Sequence, residues 1–197
     1  VVVGNVTVTQ TTSPKGGTIV ALSDGTLQQL MVRGNVHVHG TDIYSTDLQL
    51  NAKAHAAVDL QGQIGIKSII ANDSGPIQLQ LALGDALNIV ETGSSHVTMA
   101  GNVKNISVKL SGHSVLTAPY MHVTDALVRT EDYSQASVLV YDALRTFAYG
   151  ASNIYYYKIP KHLTIDPNQR GNVLHVFSKQ SRKLMFSKPS EGFGAQM

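Results

Sequence analysis

The residues best equipped for chemistry in this chain are three repeated carboxylates, a histidine pair and a group of tyrosines. Asp85, Asp125 and Asp142 each open an Asp-Ala-Leu triplet, two residues ahead of a Leu. Carboxylates recurring in this way ligate calcium, or form the acid–base set that cleaves a polysaccharide. A plainer role is to accept a backbone N–H at a corner of the chain. Asp85 and Asp125 stand two repeats apart, too far for an acid–base dyad, so corner chemistry is the expected use.

His37 and His39 lie two apart in an alternating stretch, which on a strand sends both side chains to one face. With Asp59 or His55 from the next repeat they would make a site for a divalent metal. The competing reading is a solvent-facing alternation with no metal. His96, His113 and Ser114 supply residue types found in nucleophilic triads, but the sequence lacks the Gly-x-Ser-x-Gly turn that presents a nucleophile. Its glycines match neither a phosphate loop nor a dinucleotide fingerprint, so no cofactor is expected.

Tyr155, Tyr156 and Tyr157, with Tyr149 and Tyr141, form the main aromatic concentration. Alternation sends Tyr155 and Tyr157 to one face and Tyr156 to the other. Tyr combines a large contact area with a polar tip, so Tyr149 and Tyr155 to Tyr157 are candidates for a sugar-stacking or partner-binding surface. The same rings would equally serve as a plug over the last apolar rung.

Two apolar columns must position these groups. The first is Leu27, Leu48, Ile66, Leu87, Ile106, Leu127 and Leu144, recurring every 17 to 21 residues. The second is Val36, Val58, Ile77, Val97, Val115, Val138 and Ile154, each 9 to 11 residues after its first-column mate. Small-residue corners such as Gly93-Ser94-Ser95 and Gly150-Ala151-Ser152 precede the second column, and period-two alternation follows it. Short strands at a fixed period near twenty, with no helical crossover, predict an all-β solenoid of about seven turns whose coils stack as parallel sheets. Residues 1–26, with a turn at Ser13-Pro14-Lys15-Gly16-Gly17, read as a hairpin-like cap. Pro160 reads as the stop, because it cannot donate to a ladder. Residues 1–177 then form the solenoid domain, and 178–197 a basic, loosely docked tail.

Composition narrows the classes. Hydrophobic residues make up 43% and charged ones only 14%, which suits a packed chain of short strands and tight corners. The absence of Cys rules out disulfides and thiolate metal sites. Residues 178–197 hold Lys179, Arg182, Lys183 and Lys188 against Glu191, so the body is close to neutral and has no phosphate-binding stripe for specific nucleic-acid binding. No apolar run approaches the roughly 20 residues that span a bilayer. The chain starts at Val1 without a leader, as a mature secreted form or a trimmed piece would.

The recurring Leu-x-x-x-x-x-Gly-x-Ser-x-Val pattern, clearest from Leu144 through Gly150 and Ser152 to Ile154, resembles the auto-transporter adhesin head GIN domain family of bacterial envelope proteins. The resemblance covers roughly residues 1–177 and is strongest over 84–160. It implies a single right-handed parallel β-helix, an extracytoplasmic location (periplasm, outer membrane or secreted) and a role in adhesion, and brings no catalytic residues. The corners Ala54-His55-Ala56-Ala57 and Ser134-Gln135-Ala136, which lack Gly, depart from the pattern, as does the basic tail. The functional expectation is a non-enzymatic surface module that binds a glycan or protein partner, compatible with a homo-oligomer. The alternative is a carbohydrate-active enzyme of pectin-lyase-like architecture.

Overall fold

Period-two alternation makes the chain extended, and its Gly-, Asp- and Ser-bearing corners fold the extended segments back into coils. The computed structural model describes residues 3–9, 18–23 and 26–177. Its strands are β1 (Val3–Thr9), β2 (Thr18–Ser23), β3 (Thr26–Arg33), β4 (Val36–Lys53), β5 (Ala57–Asn72), β6 (Pro76–Thr92), β7 (His96–Leu110), β8 (Val115–Thr130), β9 (Gln135–Ala148), β10 (Asn153–Tyr156), β11 (His162–Ile165) and β12 (Asn172–His175). Every strand pairing among them is parallel. The result is an all-β solenoid of about 8 turns. From β4 to β9 each coil is one long strand with a broad bend in its middle, closed at its other end by a tight corner.

The core is a set of columns, one side chain per coil. Val38, Val58, Ile77, Val97, Leu116, Ala136 and Ile154 stack in register, all buried. Leu50, Ile69, Ile89, Val108 and Val128 form a second buried column. Each such side chain contributes about 1.5–3 kcal/mol when removed from water. The stabilisation is realised only because the coils on both sides cover it.

Two expected column members face outward. Leu127 is exposed, and Ala126 takes the inward place between Ile106 and Leu144. Likewise Leu116, not Val115, fills the second column. The Asp-Ala-Leu triplets are the reason for Leu127. Asn105 aligns with Ala86 on one side but with Asp125 on the other, so the β8 triplet sits one residue out of step with the β6 triplet. A one-residue step on a strand exchanges the two faces.

Both ends differ from the expected form. β1 and β2 do not make a hairpin: β1 pairs in parallel with β3, and β2 in parallel with β4. The N-terminal segment is therefore another winding of the solenoid. The turn expected at 13–17 and the tail at 178–197 lie outside the described residues. Pro160 does not stop the ladder. It is buried in a bend, after which β11 pairs with β9 and β12 with β10. Its missing N–H costs nothing there because no ladder bond is due in the bend.

The tight corners share one construction. A left-handed residue recurs at Gly93 (φ 70), Gly112 (φ 74), Asp132 (φ 61) and Gly150 (φ 70). A Cβ on Gly112 would come within 2.7 Å of the Gly93 carbonyl oxygen. Asp tolerates this conformation, and at the corner without Gly the Asp132 carboxylate accepts the Gly112 N–H at 2.9 Å. Just after it, Ser95, Ser114, Ser134 and Ser152 point inward and are fully buried. The first three donate to the carbonyls of Thr92, Ser111 and Glu131, three residues earlier in each case. Ser152 donates to Thr130 O on the preceding coil. The internal ladder thus gives each buried hydroxyl a backbone carbonyl to donate to, so the serines are buried without an unpaired O–H.

One carboxyl among the described residues breaks the apolar rule outright. Glu91 stacks between Ala71 and Leu110, is fully buried, and neither carboxylate oxygen has a hydrogen-bond partner. Burial pushes its pKa from 4.5 up to about 9, so it is neutral at pH 7. A raised folded-state pKa means the unfolded chain releases its proton first as pH rises. The contribution of Glu91 to stability is then most favourable below pH 4.5 and is lost up to about pH 9. The expected slope is about 1.4 kcal/mol per pH unit between those limits. In urea unfolding at pH 5 to 8, Glu91→Gln should lack this slope and Glu91→Leu should exceed the wild type at pH 8. Parallel pH profiles for wild type and Glu91→Gln would refute the assignment.

Candidate functional site

The tyrosines follow directly from the coil geometry. β10 is the first half of a coil, so alternation turns Tyr156 inward and Tyr155 outward. Tyr156 packs on the core and stacks on His175 of β12, with ring centroids 5.0 Å apart. Phe177 meets the other side of His175 edge-on at 4.4 Å. Tyr156 is therefore part of the plug at the last coils. Tyr155 joins an outward row on the flat side, next to Ser137 and Leu174, and Tyr157 is partly exposed at the following bend.

Tyr149 does not join them, because the tight corner at Gly150 separates it from β10. Its hydroxyl donates to Asp166 Oδ2 at 2.6 Å, and the Arg129 guanidinium lies 5.1 Å over its ring. Arg129 in turn donates to Glu131 at 2.7 Å. The Tyr149 hydrogen bond holds the Asp166 carboxyl below its ordinary value, and the same bond raises the Tyr149 hydroxyl. This is an exposed polar clasp over the tight corner. The four candidate tyrosines thus occupy four different environments.

His37 and His39 do share the outward face, in register with Ala57 and Asp59. The His39 Nδ1–H donates to Asp59 Oδ2 at 3.1 Å. His55 sits instead in a tight corner, at φ 71. Among the described residues no three His, Cys, Asp or Glu side chains come together as a metal site. The three repeated aspartates are also dispersed. Asp125 Oδ1 accepts the Ala143 N–H of the next coil at 3.2 Å, Asp142 pairs with Lys161 at 3.0 Å, and Asp85 is exposed.

A feature that residue types alone did not single out is the groove along the broad bends. Three shallow concavities lie in line there. One of about 330 Å³ is lined by Gln28, Gln29, Thr46, Asp47 and Gln49. The next, about 450 Å³, shares Thr46 and Asp47 and runs past Lys67 to Asp85 and Ala86. A third of about 320 Å³ starts at Asn105 and reaches Asp125, Arg145 and His162. The Asn105 side-chain amide donates to the Asp85 carbonyl at 3.1 Å, linking the second stretch to the third. The only signal for it in the sequence is the uneven repeat length, since the bends absorb the extra residues as register shifts.

If Tyr156 is a plug and Tyr155 a surface residue, their truncations will differ. Tyr156→Ala should destabilise the fold by about 2 kcal/mol in urea unfolding, and Tyr155→Ala by less than about 0.5 kcal/mol. Equal losses would contradict the assignment.

Searches of curated proteins and of solved structures found no match. No helix among the described residues is long and apolar enough to cross a membrane. A family model described as "Putative auto-transporter adhesin, head GIN domain" matches residues 5–160. Its span takes in the coils from β2 to β10, the tight corners with their serine ladder, and the whole of the long-strand body. By that match the chain belongs to the auto-transporter adhesin, head GIN domain family, whose description points to the cell surface or another extracytoplasmic setting.

Proposed function

We propose that this protein is a non-enzymatic module of the bacterial cell envelope, outside the cytoplasm, that holds a glycan or protein partner by displaying rows of side chains on a rigid solenoid. The observation that carries this reading is the outward row His39, Asp59, Gln78, Thr98, Thr117, Ser137 and Tyr155, one side chain per coil in unbroken register. Successive coils set such groups about 4.8 Å apart. Contacts that are weak singly then add along the row, because the scaffold has already fixed their spacing.

The aspartates support display over cleavage. Asp125 is occupied by a backbone N–H and Asp142 by a lysine, the work of carboxylates that hold coils together. Polysaccharide hydrolysis calls for two carboxyls facing one bond across a space of set width.

The reading is tested by retention of the purified protein on immobilised bacterial cell walls and on mucin-coated beads. Saturable retention is expected, at least fivefold weaker in a Thr98→Lys/Thr117→Lys/Ser137→Lys variant of unchanged melting temperature or in a groove-filling Ala86→Trp variant. Release of reducing sugar by the wild type, lost in Asp125→Asn/Asp142→Asn, would replace display with catalysis.

A further inference from the structure

The groove along the broad bends has a chemistry of its own. We propose that it binds a linear, largely uncharged glycan laid along the solenoid axis, a site that deepens the partner-binding reading above and rests on it. From Gln28 on β3 to His162 on β11 the lining residues come from consecutive coils. At a coil rise of about 4.8 Å the groove is about 34 Å long.

Its lining suits sugar hydroxyls, which donate and accept at once and so need both kinds of partner close together. Asn105 and Gln49 offer both, Asp85 and Asp125 accept, and Arg145 donates. Beneath them Ile106, Leu127 and Leu144 give the third concavity an apolar floor for the C–H faces of sugar rings. Room for those rings comes from Gly84, Ala86 and Ala143, whose small side chains leave the channel open.

Other ligands fit less well. Asp47, Asp85 and Asp125 along the channel oppose a phosphate backbone, with Lys67 and Arg145 as its basic lining residues. An amphipathic helix needs a broad, continuous apolar groove, and this one is interrupted along its length by Asp47, Lys67, Asp85, Asp125 and Arg145. An extended peptide is captured through an unpaired strand edge. The strands from β4 to β9, which line most of the groove, are already paired on both sides, so recognition along them runs through side chains.

Isothermal titration with neutral hexasaccharides (cellohexaose, chitohexaose and xylohexaose) tests the site. At least one should bind the wild type. Ala86→Trp, which fills the channel from an exposed position, and Arg145→Ala should each weaken that binding tenfold or more at unchanged melting temperature. Tyr157→Ala, outside the groove, should leave it within twofold. Hexasaccharide binding that survives both groove variants but fails in the Thr98/Thr117/Ser137 variant would overturn the groove and leave the display reading intact. Retention on cell walls or mucin with no hexasaccharide binding would overturn the glycan assignment alone. Loss of both activities in the wild type would overturn the two readings together.

Discussion

The parallel backbone ladder between successive coils is the constraint on which everything else depends. A single coil of about twenty residues has no interior of its own, so its apolar face is buried only by the coil before and the coil after. The ladder fixes which residue of one coil meets which residue of the next. Inward positions are thereby forced into columns of Val, Leu and Ile, while corner positions repeat the same left-handed residue and the same buried serine. Where the stacking ends, the logic shows by default. Leu163 and Ile165 of β11 stand over Leu144 and Thr146, yet both are partly exposed, because no described coil lies beyond them.

Much of this was legible in the residues. The period near twenty, the parallel stacking and the inward Val–Ile–Leu columns follow from alternation and recurrence, and the family resemblance agreed with them. The slips have physical causes. Asp-Ala-Leu is the same text in β6, β8 and β9, but identical text need not mean identical register when the bends take up residues unequally. Leu127 went outward for that reason, and the aspartates never formed a row. The N-terminal segment read as a hairpin because alternation around a Gly-rich turn does not distinguish an antiparallel partner from a parallel one a coil away. The serine ladder was visible only as smallness: Ser152 after Gly150 looked like a corner filler, and Ser134 read as a departure from the pattern because its corner has Asp132 in place of Gly.

For function, the geometry separates groups that the sequence had placed side by side. Tyr155 to Tyr157 are consecutive, yet one plugs the core end, one joins the flat outward row and one lies at a bend. Tyr149 belongs to a clasp with Arg129 and Asp166 over a tight corner. What the stacking does bring together are residues far apart in the chain, such as Asn105, Asp125, Arg145 and His162, which share one concavity because they occupy like places on successive coils. Glu91 is the counterexample inside the core, a carboxyl kept neutral by its neighbours, and it marks how much a single column can tolerate.

The central claim is that a row of like places on stacked coils acts as one extended surface. The most direct measurement is the affinity of the wild-type protein for a glycan series from disaccharide to octasaccharide of the type that binds. Independent contacts along the coils predict that affinity climbs with each added sugar until the chain fills the groove, then levels off. An affinity already at its full value with the disaccharide, and flat thereafter, would contradict the account and reduce the solenoid to the support for a single small pocket.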